Sequence, residues 1–141
     1  MSESARPNDW NAKVIAEFRA NGGHVGGPFR NRDLLLIHTF GRSSGTERVN
    51  PLAYYRDGDR YVVIASKGGA PTNPDWYYNL LAHPRVPVEV GTERFEVEAV
   101  QLAGKEHELL WTRIVAALPG FGEYQTKTER TIPLIALTRV P

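Results

Sequence analysis

Two polar, glycine-containing segments carry most of the groups in this chain that can do chemistry. They are residues 41–52, GRSSGTERVNPL, and residues 65–80, ASKGGAPTNPDWYYNL. They supply Arg42, Arg48 and Lys67 and the hydroxyls of Ser43, Ser44, Thr46 and Ser66. Their glycines let backbone N–H groups turn outward. Guanidinium, ammonium and free N–H groups together suit a phosphate or a carboxylate. An ordinary solvated loop with surface arginines is the competing reading of the first segment. Residues 118–130, LPGFGEYQTKTER, add Phe121 and Tyr124 on a glycine-interrupted stretch that reads as a loop. Aromatic loops of this kind close over ligands in many enzymes, and a plain connector has the same composition.

A hairpin must bring the first two segments together. Residues 54–64 place apolar residues on both sides of Asp57-Gly58, a type I′ turn signal. Residues 34–40 form a continuous apolar run and read as a buried strand, with strands at 48–56 and 60–66 after it. Residues 73–82 read as a short helix, with Asn73 as its cap and Pro74 at its first position. The N-terminus of that helix favours an anion. Trp76 and Tyr77 on it suit either ring stacking or the core. Strands at 86–90 and 94–102, a helix at 105–118 and a strand at 131–140 follow. Leu110, Ile114, Val115 and Leu118 share one side of the long helix. Residues 1–7 read as a disordered tail, and residues 8–141 as one domain. A helix from Asn8 or Asp9 to Ala20 carries Trp10, Val14, Ile15 and Phe18 in one stripe. The stripe suits packing on the domain, or peripheral contact with a membrane or partner. Hairpin-linked strands without βαβ alternation predict a mainly β (α+β) fold. Roughly six such strands argue for an antiparallel sheet closed into a small barrel, with flanking helices.

The chain has 141 residues, a net charge of +1 and no cysteine. Disulfides and thiolate chemistry are excluded. The balanced charge gives no reason to expect nucleic acid as a partner. The four histidines form no HxxxH pair, so no metal site is expected. No apolar run reaches the roughly 18–20 residues of a membrane span. With no signal-peptide core, a cytoplasmic location is expected. Neither a nucleophile–base pair nor paired carboxylates stand out, so if the chain is an enzyme a borrowed cofactor is expected to supply the chemistry.

The strings GRSSGTERVNPL, ASKGGAPTNPDWYYNLLAHPRVPVEVG and YQTKTERTIP, in this order, resemble the deazaflavin-dependent nitroreductase family of actinobacteria. The resemblance runs from about Asp33 to Pro133. It implies an antiparallel split β-barrel of six or seven strands with flanking helices, related to flavin reductases, and a cofactor, coenzyme F420, an 8-hydroxy-5-deazaflavin with a phosphate and polyglutamate tail. It implies that Arg42, Ser43, Ser44 and Arg48 meet the phosphate or tail. Val49, Asn50, Pro51, Leu52, Ala53 and Tyr54 would line the ring. Ile64, Ala65, Ser66 and Lys67 would border the same groove, and Asp75, Trp76, Tyr77 and Asn79 would complete it. Substrate would meet Leu118, Phe121 and Tyr124.

Two departures matter. Ser43 stands where nitroreductase members usually carry lysine. Leu118, Phe121 and Tyr124 stand where nitroimidazole reducers carry tyrosines. Fewer donors suit an apolar substrate better than a nitro group. The expected activity is therefore hydride transfer from C5 of reduced F420 to an activated C=C, such as an α,β-unsaturated ester or lactone, with nitroreduction second. Ser66 or Tyr124 would polarise the carbonyl, and Tyr124 or solvent would deliver the proton. An FMN- or haem-binding split barrel and a non-catalytic F420 carrier are the other readings. A monomer or weak homodimer is expected.

Overall fold

Strand β1, Leu34–Phe40, is buried on both faces. Its apolar run Leu34–Ile37 belongs between two packed layers, and His38 and Thr39 are buried with it. The structure, a computed structural model, describes residues 7–29 and 32–141. Among these residues β1 is one of six strands in a closed antiparallel barrel, ordered β1-β2-β3-β6-β5-β4. The others are β2 (Glu47–Asp57), β3 (Arg60–Ile64), β4 (Arg85–Val90), β5 (Glu93–Gln101) and β6 (Leu134–Arg139). Four α-helices surround it: α1 (Pro7–Ala20), α2 (Asp75–Ala82), α3 (Gly104–Ala117) and α4 (Gly120–Thr126). The expected split barrel is thus the fold, with six strands. Residues 1–6 of the expected tail lie outside the described residues.

Alternation along the strands sorts the apolar residues into layers. Leu35, Ile37, Val63, Val88, Val97, Ile135 and Leu137 fill the barrel interior. Trp76, Tyr77 and Leu80 of α2 join that cluster, so α2 plugs one mouth of the barrel. Outside, Val62, Ile64, Leu134 and Ala136 pack under Leu110 and Ile114 of α3 and Phe121 of α4. On the far side Leu34 and Leu36 pack under Val14 and Phe18 of α1. The α1 stripe therefore faces the barrel, leaving Trp10 half exposed against Phe29.

Four local expectations change. Helix α1 starts at Pro7, a residue whose fixed φ suits a first helical position, ahead of the expected Asn8 or Asp9. Pro74 is extended and precedes α2, which starts at Asp75. Residues 118–130 are not a plain loop: Gly120–Thr126 is helical because packing of Phe121 overrides the weak propensity of its glycines. In the first hairpin Asp57 pairs with Arg60, so the two-residue loop is Gly58-Asp59. Of that pair only Gly58 has a positive φ, of 61°, which is the type II′ requirement, not type I′.

An ionic chain fastens α1 to the barrel. Arg19 donates two hydrogen bonds to Glu89 of β4, from Nε at 3.0 Å and from Nη2 at 2.7 Å. His38 of β1, only 3% exposed, contacts Glu89 through Nε2 at 2.7 Å and Glu47 through Nδ1 at 3.0 Å. The Arg19 hydrogen bond holds the Glu89 carboxyl below the ordinary range, at about 2, against the opposing effect of burial. A depressed carboxyl pKa stabilises the fold above the unfolded value, and that contribution is lost as pH falls through the folded value. Stability should therefore decline between about pH 4.5 and pH 2 through this group. Glu89→Gln should lose about 1–3 kcal/mol at pH 7 and flatten that acid limb, as read by urea unfolding across the pH series.

Candidate active site

The site opens where β2 parts from β3. Residues 47–53 of β2 pair with β1, and only residues 54–57 pair with β3. Beyond Ile64 the chain leaves the sheet into a short turn, Lys67–Gly69, that leads to α2. Pro51, which has no N–H to give a ladder, sits in the half of β2 not paired with β3. Two neighbouring recesses flank the start of α2.

The first, of about 210 Å³, is lined by Gly41, Arg42, Ser43, Ser44, Arg48, Asp75 and Asn79. Its loop is tightly held: Gly41 N donates to Thr46 O and Gly45 N to Gly41 O. Ser44 Oγ accepts from Thr46 N at 3.1 Å. Asn79, 5% exposed, accepts from Arg42 N at 3.2 Å and fastens this loop to α2. The Arg42 guanidinium lies 5.1 Å from the Tyr78 ring centroid. Two guanidiniums and two hydroxyls thus face an open recess whose one carboxylate is Asp75.

The second recess, of about 250 Å³, combines apolar walls with polar groups. Pro51, Leu52, Ala53, Ile64, Pro74, Trp76, Phe29 and Phe121 form its walls, and Ser66, Lys67, Tyr124 and Arg32 supply polar groups. The Lys67-Gly68-Gly69 turn borders it with three successive positive φ angles, 48°, 65° and 85°. Lysine pays strain at such an angle, as L side chains rarely adopt it. Its Nζ is tied to Thr72 Oγ1 at 3.2 Å. A Cβ on Gly69 would lie 2.7 Å from Tyr124 O, so only glycine lets the turn close onto α4.

Arg130 holds the two sides of this recess together. Its guanidinium donates to Ser66 O (2.8 Å), Ala65 O (3.2 Å) and Asn73 Oδ1 (2.6 Å), and its Nε to Ala70 O (2.9 Å). Gln125 of α4 in turn donates to Arg130 O at 2.7 Å and accepts from Ile132 N at 3.0 Å. Asn73, expected as a helix cap, spends its side chain on Arg130 and Tyr78.

A cationic, hydroxyl-lined recess beside one with apolar walls has the chemistry to suit an anionic group next to a ring. Comparison with known proteins gives the family. Residues 10–139 match the model of the F420H(2)-dependent quinone reductase family. The chain belongs to that family. It is 43% identical over 108 residues to the F420H(2)-dependent quinone reductase Rv1261c of Mycobacterium tuberculosis, covering 74% of this chain and 72% of that protein. Among solved structures, the F420-H2 dependent reductase FDR-A is 40% identical with a TM-score of 0.68, over 75% of this chain and 94% of that one. A domain-swapped dimer is 36% identical with a TM-score of 0.70, over 94% and 99%. The haem storage protein HutZ of Vibrio cholerae, 19% identical with a TM-score of 0.55, shares the fold alone, over 93% of this chain and 91% of that one.

This member of the family is an F420H2-dependent oxidoreductase, and coenzyme F420 is its cofactor. The donor set fits that molecule: the arginines and hydroxyls of the first recess suit its phosphate and carboxylates. The apolar walls of the second suit a planar ring. The structure brings Arg42, Ser43, Ser44, Arg48, Asp75 and Asn79 to one recess. It brings Pro51, Leu52, Ala53, Ile64, Ser66, Lys67, Trp76, Phe121 and Tyr124 to the other. Others lie elsewhere. Ala65 is in the barrel interior, against which Tyr54 packs, edge-on to Tyr61. Tyr77 is also interior, with its hydroxyl bound to Gln101 at 2.8 Å. Val49 packs towards α1, and Asn50 lines the crevice between α1 and β2. Leu118 packs beneath α3 and α4. Phe29, Arg32 and Arg130 carry no periodic or turn signal that would mark them in the sequence. Among the described residues no helix is long and apolar enough to cross a membrane.

Arg130→Lys replaces a planar fork with a point charge that cannot meet four acceptors at once. It should cost about 1–3 kcal/mol in chemical denaturation and speed amide hydrogen exchange across residues 66–73.

Proposed function

We propose that this oxidoreductase reduces a conjugated carbonyl acceptor, a quinone or an α,β-unsaturated ester or lactone, in the recess that contains Ser66 and Tyr124. The observation that carries the reading is that these two hydroxyl residues, far apart in sequence, line one apolar-walled recess with Trp76 and Phe121. When bound, reduced F420 supplies a hydride. The acceptor gains that hydride and one proton, so that a quinone leaves as its hydroquinone. The chain's part is to exclude water, hold the acceptor flat and meet the oxygen on which negative charge grows. Ser66 Oγ donates to that oxygen. Tyr124 is the second donor and passes a proton to it. Quinones enter the reading because relatives such as Rv1261c are named quinone reductases. The single tyrosine among Leu118, Phe121 and Tyr124 supports a carbonyl acceptor over a nitro group, since a nitro group needs more donors to orient it.

Arg42, Ser43, Ser44 and Arg48 would hold the anionic tail, and Asn79 would hold their loop. Arg42→Ala and Arg48→Ala should each weaken F420 binding by roughly tenfold, with a shallower salt dependence, in fluorescence titration. The decisive assay mixes the protein with reduced F420 and 2-methyl-1,4-naphthoquinone, an unsaturated lactone or a nitroaromatic, and follows the return of oxidised-deazaflavin absorbance. Ser66→Ala and Tyr124→Phe should each lower kcat by roughly 10- to 100-fold on the carbonyl acceptors. Unchanged rates in both variants would remove those roles, and faster turnover of the nitroaromatic would reverse the order of substrates.

A further inference from the structure

Arg32 is the charged group of the second recess that neither the sequence motifs nor the proposed chemistry uses. It sits on the turn before β1, where its N–H donates to Phe29 O at 3.0 Å. Its guanidinium carbon lies 5.5 Å from the centroid of the Phe121 ring. The recess it lines contains no carboxylate, and Lys67, the other cation there, is engaged by Thr72. Among residues 10–29 and 32–141, leaving Pro28 aside, no carboxylate lies within ion-pair distance of Arg32.

A neutral acceptor lying beside the cofactor ring against the Arg32 end of this recess would strip water from the guanidinium and return nothing for its charge. An acceptor bearing an anionic group would offset that loss, and a carboxylate matches the planar fork with two parallel hydrogen bonds. Stacking on Phe121 leaves the edge of the guanidinium available while restraining its plane. Resting on the acceptor site proposed above, we infer that Arg32 is a specificity-determining residue that pairs with a carboxylate substituent on the acceptor. The preferred acceptors are then acidic conjugated carbonyl compounds, the anionic group lying towards Phe29 and Phe121 and the reducible carbon towards Ser66.

The test uses the whole protein, reduced F420 and a matched pair of acceptors: a 1,4-naphthoquinone bearing a propanoate chain, and its methyl ester. The ring chemistry is the same in both, so the acid-to-ester ratio of kcat/KM isolates recognition of the charge. Wild type should favour the acid by at least about tenfold. Arg32→Gln should bring the ratio to about one, whatever happens to the ester rate itself, and Arg32→Lys should keep part of the preference. A wild-type ratio near one, or a ratio unchanged in Arg32→Gln, overturns the inference. If wild type binds F420 but reduces neither quinone, the acceptor reading fails separately. Calorimetric binding of 3-(2-naphthyl)propanoate against its methyl ester then decides the role of Arg32. Tighter binding of the acid that is lost in Arg32→Gln upholds it, and equal binding of the two overturns it.

Discussion

Closure of the barrel at the β1–β4 seam is the constraint on which the rest depends. The ladder there is short, pairing Leu36 with Glu89 and Ile37 with Val88, whereas β1 and β2 pair along seven positions. An open seam would leave β1 an edge strand and expose the interior that α2 plugs. The chain reinforces the seam with side chains. Glu89, itself one of the paired residues, joins His38 of β1 and Arg19 of α1. The same helix covers Leu34 and Leu36 with Val14 and Phe18. One helix thus supplies both the apolar cover and the cation for the weakest ladder of the sheet.

With the seam closed, the barrel can afford to part on its other side. Strand β2 pairs with β3 only from Tyr54 onward, and the two recesses lie beside the part of β2 before it. They would be shapeless without fixed walls. Arg130 fixes one, by tying the strand exit at Ala65 and Ser66 to the turn before α2. Gln125 extends that hold to α4, which brings Phe121 and Tyr124. Buried acceptors otherwise left unpaired make such a fork costly to remove.

Much of this architecture was legible in the sequence, for physical reasons that differ by element. The apolar run of β1 and the Asp57-Gly58 hairpin carry strong local signals, although the turn itself sits one residue further on. The basic loop at residues 41–48 was legible because charge, hydroxyls and glycines coincide in one short stretch. Helix α4 was not: Gly120 and Gly122 argue for a loop, and only packing of Phe121 against the α3 layer makes it helical. The family resemblance puts Tyr54 and Tyr77 at the cofactor, with the core as the other reading of Tyr77, and the phase of β2 and of α2 turns both towards the barrel interior. Arg32 and Arg130 were invisible as site residues, because their partners are backbone groups and rings distant in sequence.

The cationic recess has a consequence for how the enzyme is supplied. Arg42, Ser43, Ser44 and Arg48 are all exposed, so an anionic group held there would be gripped by contacts that water and salt screen. If they hold the cofactor's tail as proposed, the cofactor could dock and depart without any opening of the barrel, as a co-substrate does and a resident prosthetic group does not.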